Sequence, residues 1–184
     1  MKRDFGHIIK KCLEGNAKYQ SILYDHFCQM VMGICSRYGA SSSQVDDMFQ
    51  DAFIKIFGNL SKVREADALP GWIKRLTVNT CLNALRLENH SWIAPLENEN
   101  VEDSSYVELL DQLSNEKLIE LINELPEGCR AVLNLFIMDG YNHKEIAEQL
   151  SITVGTSRSQ LNYAKKLLRD RLEKLGIGRY ESVI

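Results

Sequence analysis

The 184-residue sequence lacks long apolar runs and closely spaced cysteines. Its longest apolar stretches, such as Leu135–Met138, fall far short of the ~20 residues needed to cross a bilayer. The amino terminus is charged and leads into an amphipathic pattern, unlike a secretory signal. The five cysteines form no CxxC pair and share no metal-ligand spacing with the histidines. We therefore expect no metal, no cofactor and no direct membrane insertion, and a reducing cytoplasm as the natural compartment.

Catalytic motifs are missing as well. The sequence contains no glycine-rich phosphate loop, no Ser/His/Asp order with a supporting fold, and no acidic cluster outside residues 91–114. Strand-type alternation over more than four residues is also absent, whereas helical spacing recurs along the chain. These observations predict an all-α protein that is not an enzyme and has no small-molecule substrate.

Charge is distributed unevenly along the chain. The net charge of −3 by itself disfavours nucleic-acid binding. Residues 1–90, however, carry 12 Lys/Arg and 9 Asp/Glu, residues 91–114 carry no Lys/Arg and 6 Asp/Glu, and residues 115–184 carry 10 of each. The acidic middle therefore separates two lobes that can each present a basic face. We predict two small helical domains, 1–90 and 115–184, joined by an acidic flexible linker over 91–114.

The segment from about Asn142 to Lys174 predicts a helix-turn-helix that docks on DNA. Ala147 is small, as the crossing point of two close helices requires, and Ser151–Thr153 form a short turn. Between Arg158 and Arg179 the chain has seven Lys/Arg against two Asp/Glu. A helical hairpin with a solvated basic face is the alternative interpretation of the same pattern.

Several side chains of this segment are candidate DNA contacts. Residues in the first turns of the second helix meet base edges in this motif, whereas later cations reach phosphates. The best candidates for base edges are Thr156, Ser157, Arg158 and Gln160. The remaining candidates are Lys144, Asn162, Lys165, Lys166 and Arg169.

The sequence resembles the extracytoplasmic-function (ECF) group of the bacterial sigma-70 family, in this segment and in an earlier one. Two blocks carry the resemblance, in the family's order, from about residue 20 to residue 175. The first resembles sigma region 2 at 47–57, 72–79 and 85–86. The second resembles sigma region 4 at 125–126, 140–147, 154–156 and Leu172. The resemblance implies a sigma factor that binds core RNA polymerase, directs it to specific promoters and promotes transcription initiation.

The resemblance also implies roles for particular residues. Region 4 would read the minus-35 element, and region 2 would melt and read the minus-10 element. The face of region 2 that docks on polymerase would consist of Asp47, Gln50, Asp51 and Ile54. The minus-10 contacts would be Trp72, Lys74, Arg75, Asn79, Asn83 and Arg86. A solvated amphipathic helix is the alternative for the first set, and core packing is an equally good interpretation of Trp72.

The resemblance implies an anti-sigma partner, a chain that is monomeric when free or in holoenzyme, and a linker that threads the RNA-exit path. A disordered solvated tether fits the same linker composition.

The chain departs from the family pattern at five places. Asn83 replaces a usual Asp, Phe57 a usual Trp, Ser157 an apolar residue and Gln160 an Arg, and residues 86–90 lack the usual basic run.

Two other functions compete with the sigma factor. A sigma mimic that sequesters a regulator would be expected to lose the basic residues of the second helix, yet Arg158, Lys165 and Arg169 are present. A repressor or activator that binds operators alone would leave the acidic face from Asp47 to Asp51 unexplained. Transcription with core polymerase distinguishes the three.

Overall fold

The computed structural model describes residues 4–88 and 114–176, and these ranges are helical, with no strand among them. The chain divides into two compact units after Glu88. The predicted all-α, two-domain fold is confirmed. The predicted linker over 91–114 lies, apart from Ser114, outside the described residues. Within those residues, no helix combines the length and the apolar character that spanning a membrane demands.

The first unit is a helical bundle. Its helices are α1 (Phe5–Leu13), α2 (Ala17–Tyr38), α3 (Ser42–Asn59) and α4 (Leu69–Glu88), with 3₁₀ turns at Leu60–Lys62 and Ala66–Ala68. Helices α2, α3 and α4 pack against one another, and α1 packs on α2 and on both 3₁₀ turns. The core consists of the apolar stripe of each helix, including Tyr38, Met48, Ile56, Ile73 and Leu82. This packing holds α3 and α4 side by side.

Helix α3 begins at Ser42, after a side-chain cap. Ser41 is the N-cap, because its backbone is extended and its hydroxyl accepts a hydrogen bond from the Gln44 amide at 3.2 Å. The Gln44 side chain reaches back and accepts from the Ala40 amide at 2.6 Å.

The second unit is built around its last helix. It contains α5 (Asn115–Asn123), α6 (Glu127–Leu133), a π-helical turn (Asn134–Met138), α7 (His143–Leu150) and α8 (Val154–Lys174). Helix α8 packs against α5, α6 and α7. Arg171 fastens α8 to α5, since its guanidinium donates to the carbonyl oxygens of Leu121 (3.2 Å) and Glu124 (2.8 Å) and pairs with the Glu124 carboxylate at 3.1 Å.

Candidate nucleic-acid and polymerase interfaces

Helices α7 and α8 form the predicted helix-turn-helix. Asn142 begins α7 with a full capping box: its side chain accepts from the Glu145 amide at 3.1 Å, and the Glu145 carboxylate accepts from the Asn142 amide at 2.8 Å. The helix ends at Ser151, whose φ of 55° is left-handed. Thr153 then caps α8 by accepting from the Thr156 amide at 3.0 Å. The predicted turn over Ser151–Thr153 is confirmed.

Helix α8 has one polar and basic face. Its side chains are exposed or half-exposed, and they recur at a spacing that places them on one side of an α-helix. They are Arg158, Asn162, Lys165, Lys166 and Arg169. Lys144, at the start of α7, is exposed as well. The structure therefore brings most of the candidate DNA contacts of this unit to accessible positions.

Ser157 and Gln160 are exceptions, and the expectation that they meet base edges is wrong in this structure. Their exposed fractions are 0% and 1%. Both belong to the buried stripe of α8, because Ser157 precedes Leu161 by four residues and Gln160 precedes Ala164 by four. That spacing was visible in the sequence, but the polarity of the two side chains concealed it. Thr156 is half-exposed, and its hydroxyl shares a 2.9 Å hydrogen bond with that of Thr153.

His143 is a residue that the sequence reasoning missed. It is the first residue of α7, and its Nδ1 shares a 2.9 Å hydrogen bond with the buried Ser157 hydroxyl of α8. Its ring stacks on Phe136 of the π-helical turn, with centroids 4.6 Å apart and planes 22° apart. Burial, together with the nearby charges of Arg158 and Lys165, lowers the pKa of His143 below its usual value of about 6.5. The imidazole is therefore neutral at pH 7.

Helices α3 and α4 line an open cavity of about 270 Å³ in the first unit. Its lining combines an indole ring, amide groups and two cations: Lys55, Trp72, Arg75, Leu76, Asn79, Thr80 and Asn83. Trp72 is half-buried, so it lines the cavity and is not a fully buried core residue. Lys55 and Thr80 were missed because a cavity between two helices leaves no local signal in the sequence.

The other two predicted minus-10 residues do not line the cavity. Arg86 lies further along the same face of α4, and its guanidinium donates to the Asn83 side-chain oxygen at 3.4 Å. Lys74 lies about 200° around α4 from Trp72, at ~100° per residue. The structure thus groups five of the six predicted residues and leaves Lys74 on a different face.

Helix α3 also carries the predicted polymerase-facing set. All four side chains are exposed and lie on one side of the helix: Asp47, Gln50, Asp51 and Ile54. Ile54 has an exposed fraction of 69%, the highest among the large hydrophobic side chains of the described residues. A ring contact joins α3 to α2, since Phe53 packs on Tyr24 of α2 at a centroid distance of 4.5 Å. Helix α3 therefore presents one exposed isoleucine beside two carboxylates.

Comparisons with known proteins match both units. The family profile for Sigma-70 region 2 matches residues 23–90, and that for Sigma-70 region 4 matches residues 115–168. The ECF RNA polymerase sigma-E factor of Haemophilus influenzae (strain Rd) is 26% identical over 181 residues, 91% of this chain and 95% of that protein. The sigma-E factor of Escherichia coli K12 is 29% identical over 180 residues, 91% of this chain and 94% of that protein.

A solved structure also matches, that of CnrH in complex with the cytosolic domain of CnrY. It covers 91% of this chain and 96% of that chain, at 18% identity and a TM-score of 0.49. The family follows instead from the two profiles, which occur in the order of regions 2 and 4 and together cover about two thirds of the sequence. The expectation drawn from the sequence motifs is confirmed: the chain belongs to the ECF group of the sigma-70 family, whose members direct RNA polymerase in transcription initiation.

Proposed function

We propose that this sigma factor divides promoter reading between its two units, with α8 contacting the minus-35 element and the α3–α4 cavity contacting the minus-10 element. The observation that carries the proposal is the pairing of two accessible cationic sites, one in each unit. One is the basic face of a capped helix-turn-helix, and the other is a cavity of a size to receive part of an unstacked strand. Its action takes place in the cytoplasm, with core polymerase and promoter DNA as partners and no catalysis by the chain itself.

At the minus-35 element, Arg158 is the residue that reads a base. It is exposed in the first turns of α8, where recognition helices approach base edges, and a guanidinium matches the two acceptors of guanine. Thr156 and Lys144 flank it. The rest of the basic face contacts phosphates, which fix orientation without reading sequence: Asn162, Lys165, Lys166 and Arg169.

At the minus-10 element, the cavity receives an unstacked base. The Trp72 ring offers a stacking surface, the amides of Asn79 and Asn83 offer hydrogen bonds to base edges, and Lys55 and Arg75 offer charge to the backbone. Stacking on an aromatic ring contributes about 1–3 kcal/mol per base, which offsets the few kcal/mol that unstacking costs. Arg86 extends the same face.

The exposed face of α3 binds core polymerase. A protruding isoleucine ringed by polar and acidic groups has the character of an interface centre with a polar rim, and carboxylates favour a basic partner surface. An anti-sigma partner, which the family resemblance implies, would act by covering this face. The free chain and the chain in holoenzyme are monomeric in this proposal.

Transcription with core polymerase tests the proposal. Holoenzyme assembled from the full chain should transcribe from a subset of a genomic promoter library and open its DNA. No initiation above that of core polymerase alone would refute the proposal. Duplex binding by the chain alone, with no effect of polymerase, would instead favour an operator-binding repressor.

A variant of α3 tests the polymerase face separately. Ile54→Arg should weaken binding to core polymerase at least tenfold, because it places a bulky cation at the centre of the contact, whereas unfolding should change little at so exposed a site. Leu13→Arg is the matched control, since Leu13 is 53% exposed on α1, outside this face. Equal polymerase affinity of both variants would remove Ile54 from the interface.

A further inference from the structure

We propose that His143 is a positioning residue for promoter reading, which fixes the rotation of α8 about its axis through Ser157 and so determines where Arg158 points. The inference rests on the proposed minus-35 function of α8. It concerns a residue outside the basic face, and it assigns a use to the buried hydroxyl that replaces the apolar residue usual at position 157.

The His143 ring is held from two directions. On one side it stacks on Phe136, which the π-helical turn brings to a position 36% exposed, against the start of α7. On the other side its Nδ1 shares the 2.9 Å hydrogen bond with Ser157, whose side chain is fully buried. A ring fixed by a stack keeps its nitrogen aimed in one direction, so the hydrogen bond specifies a distance and an angle. An apolar contact at the same place would tolerate sliding.

Ser157 transmits this constraint to the DNA-facing side of α8. Arg158 is its direct neighbour, so any rotation of α8 that stretches the His143–Ser157 bond also swings the Arg158 guanidinium. A side-chain tip lies about 6 Å from a helix axis, so a rotation of ~10° moves it by about 1 Å. Displacement on that scale spoils a bidentate hydrogen-bond pair, which requires distances held within a few tenths of an ångström.

Charged groups near the His143 ring predict that DNA binding depends on pH, which is a second measurement that tests the proposal. The charges of Arg158 and Lys165 on α8 both lower the pKa of His143, after the larger effect of burial. The π-helical turn presents the uncharged Phe136. On α7 itself the adjacent charged residues are Lys144 and Glu145, and the Glu145 carboxylate is engaged with the Asn142 amide.

DNA binding should therefore be linked to protonation of His143. Phosphates beside Arg158 and Lys165 offset their charge, so the pKa of His143 rises when DNA binds and the complex takes up a proton. Affinity for the upstream element should then increase as pH falls toward the lowered pKa that His143 has in the free protein.

Base selection by holoenzyme tests the proposal. Full-chain holoenzyme would select from promoters randomised over the upstream element, for wild type, His143→Ala, Ser157→Ala, the double variant and His143→Asn. His143→Ala, Ser157→Ala and the double variant should reduce the base preference at the position read by Arg158. They should also weaken promoter binding about 2- to 10-fold, which corresponds to the loss of one hydrogen bond. The double variant should lose no more than either single one, because the two residues act as a unit. His143→Asn, which keeps a polar atom near Nδ1, should restore the preference but not the pH dependence.

His26→Ala serves as the control, because His26 is an exposed histidine of the first unit, and thermal unfolding of each variant verifies folding. An unchanged base preference in folded His143→Ala, additive losses in the double variant, or a pH dependence that persists in His143→Asn would overturn the inference. A wild-type holoenzyme that selects no upstream element at all would refute the proposed function as well.

Discussion

Removal of the Arg158 guanidinium offers the sharpest test of how the promoter is read. Arg158 is exposed on α8, directly beside the buried Ser157. Truncation to alanine leaves the caps and the buried stripe of the helix intact, so the free energy of unfolding should stay within about 0.5 kcal/mol of wild type. Any larger effect on promoter binding therefore belongs to the contact with DNA.

The expected size of the loss depends on what Arg158 contacts. A bidentate pair with guanine contributes about 1–3 kcal/mol of discrimination, so Arg158→Ala should weaken binding to the preferred promoter about 5- to 150-fold. Promoters already lacking that base should lose far less. A phosphate contact predicts a different outcome: equal weakening on all sequences, and a salt slope reduced by about one.

Competition binding measures the loss of base discrimination and the salt slope. The assay compares the binding of holoenzyme to promoters that differ at single upstream positions, at two or more salt concentrations. Lys174→Ala is the matched control, since Lys174 is an exposed cation in the last turn of the same helix. Uniform losses for Arg158→Ala across all promoters would refute base reading by this side chain. Losses no larger than those of Lys174→Ala would refute its place in the interface.

Three further outcomes are expected. Trp72→Ala should slow promoter opening, measured by the fluorescence of a base analogue in the minus-10 element. Lys74→Ala is the control and should not slow it, because Lys74 lies on another face of α4. Equal opening rates for the two variants would exclude the cavity from contact with the minus-10 element. Arg171→Ala should lower the free energy of unfolding by about 1–2 kcal/mol in chemical denaturation, because two carbonyl hydrogen bonds and a partly exposed ion pair with Glu124 are lost. Since the folded-state pKa of His143 is lowered, its contribution to stability is fully present above about pH 6.5 and is lost as pH falls toward the folded-state pKa; an identical pH profile for His143→Asn would contradict this assignment.

The sequence by itself determined the features that depend on neighbours within one or two turns. The capping box at Asn142 and Glu145 and the cap at Thr153 set the bounds of the helix-turn-helix, because a cap needs only residues two or three positions away. Apolar spacing likewise placed Ile146, Ala147 and Leu150 on a buried face. The motif order then fixed the family.

Tertiary structure decided what lies across helices. The burial of Ser157 beneath His143, the stack on Phe136 and the cavity between Lys55 and Trp72 each join residues from separate elements. The local sequence shows which side of a helix is buried. Which side chain of another helix packs against a given buried residue depends on contacts between residues far apart in the sequence. A buried hydroxyl is stable only where such a partner exists, since an unpaired one costs about 1–3 kcal/mol. For that reason Ser157 looked like a base-reading residue in the sequence and is a buried hydrogen-bond partner in the fold.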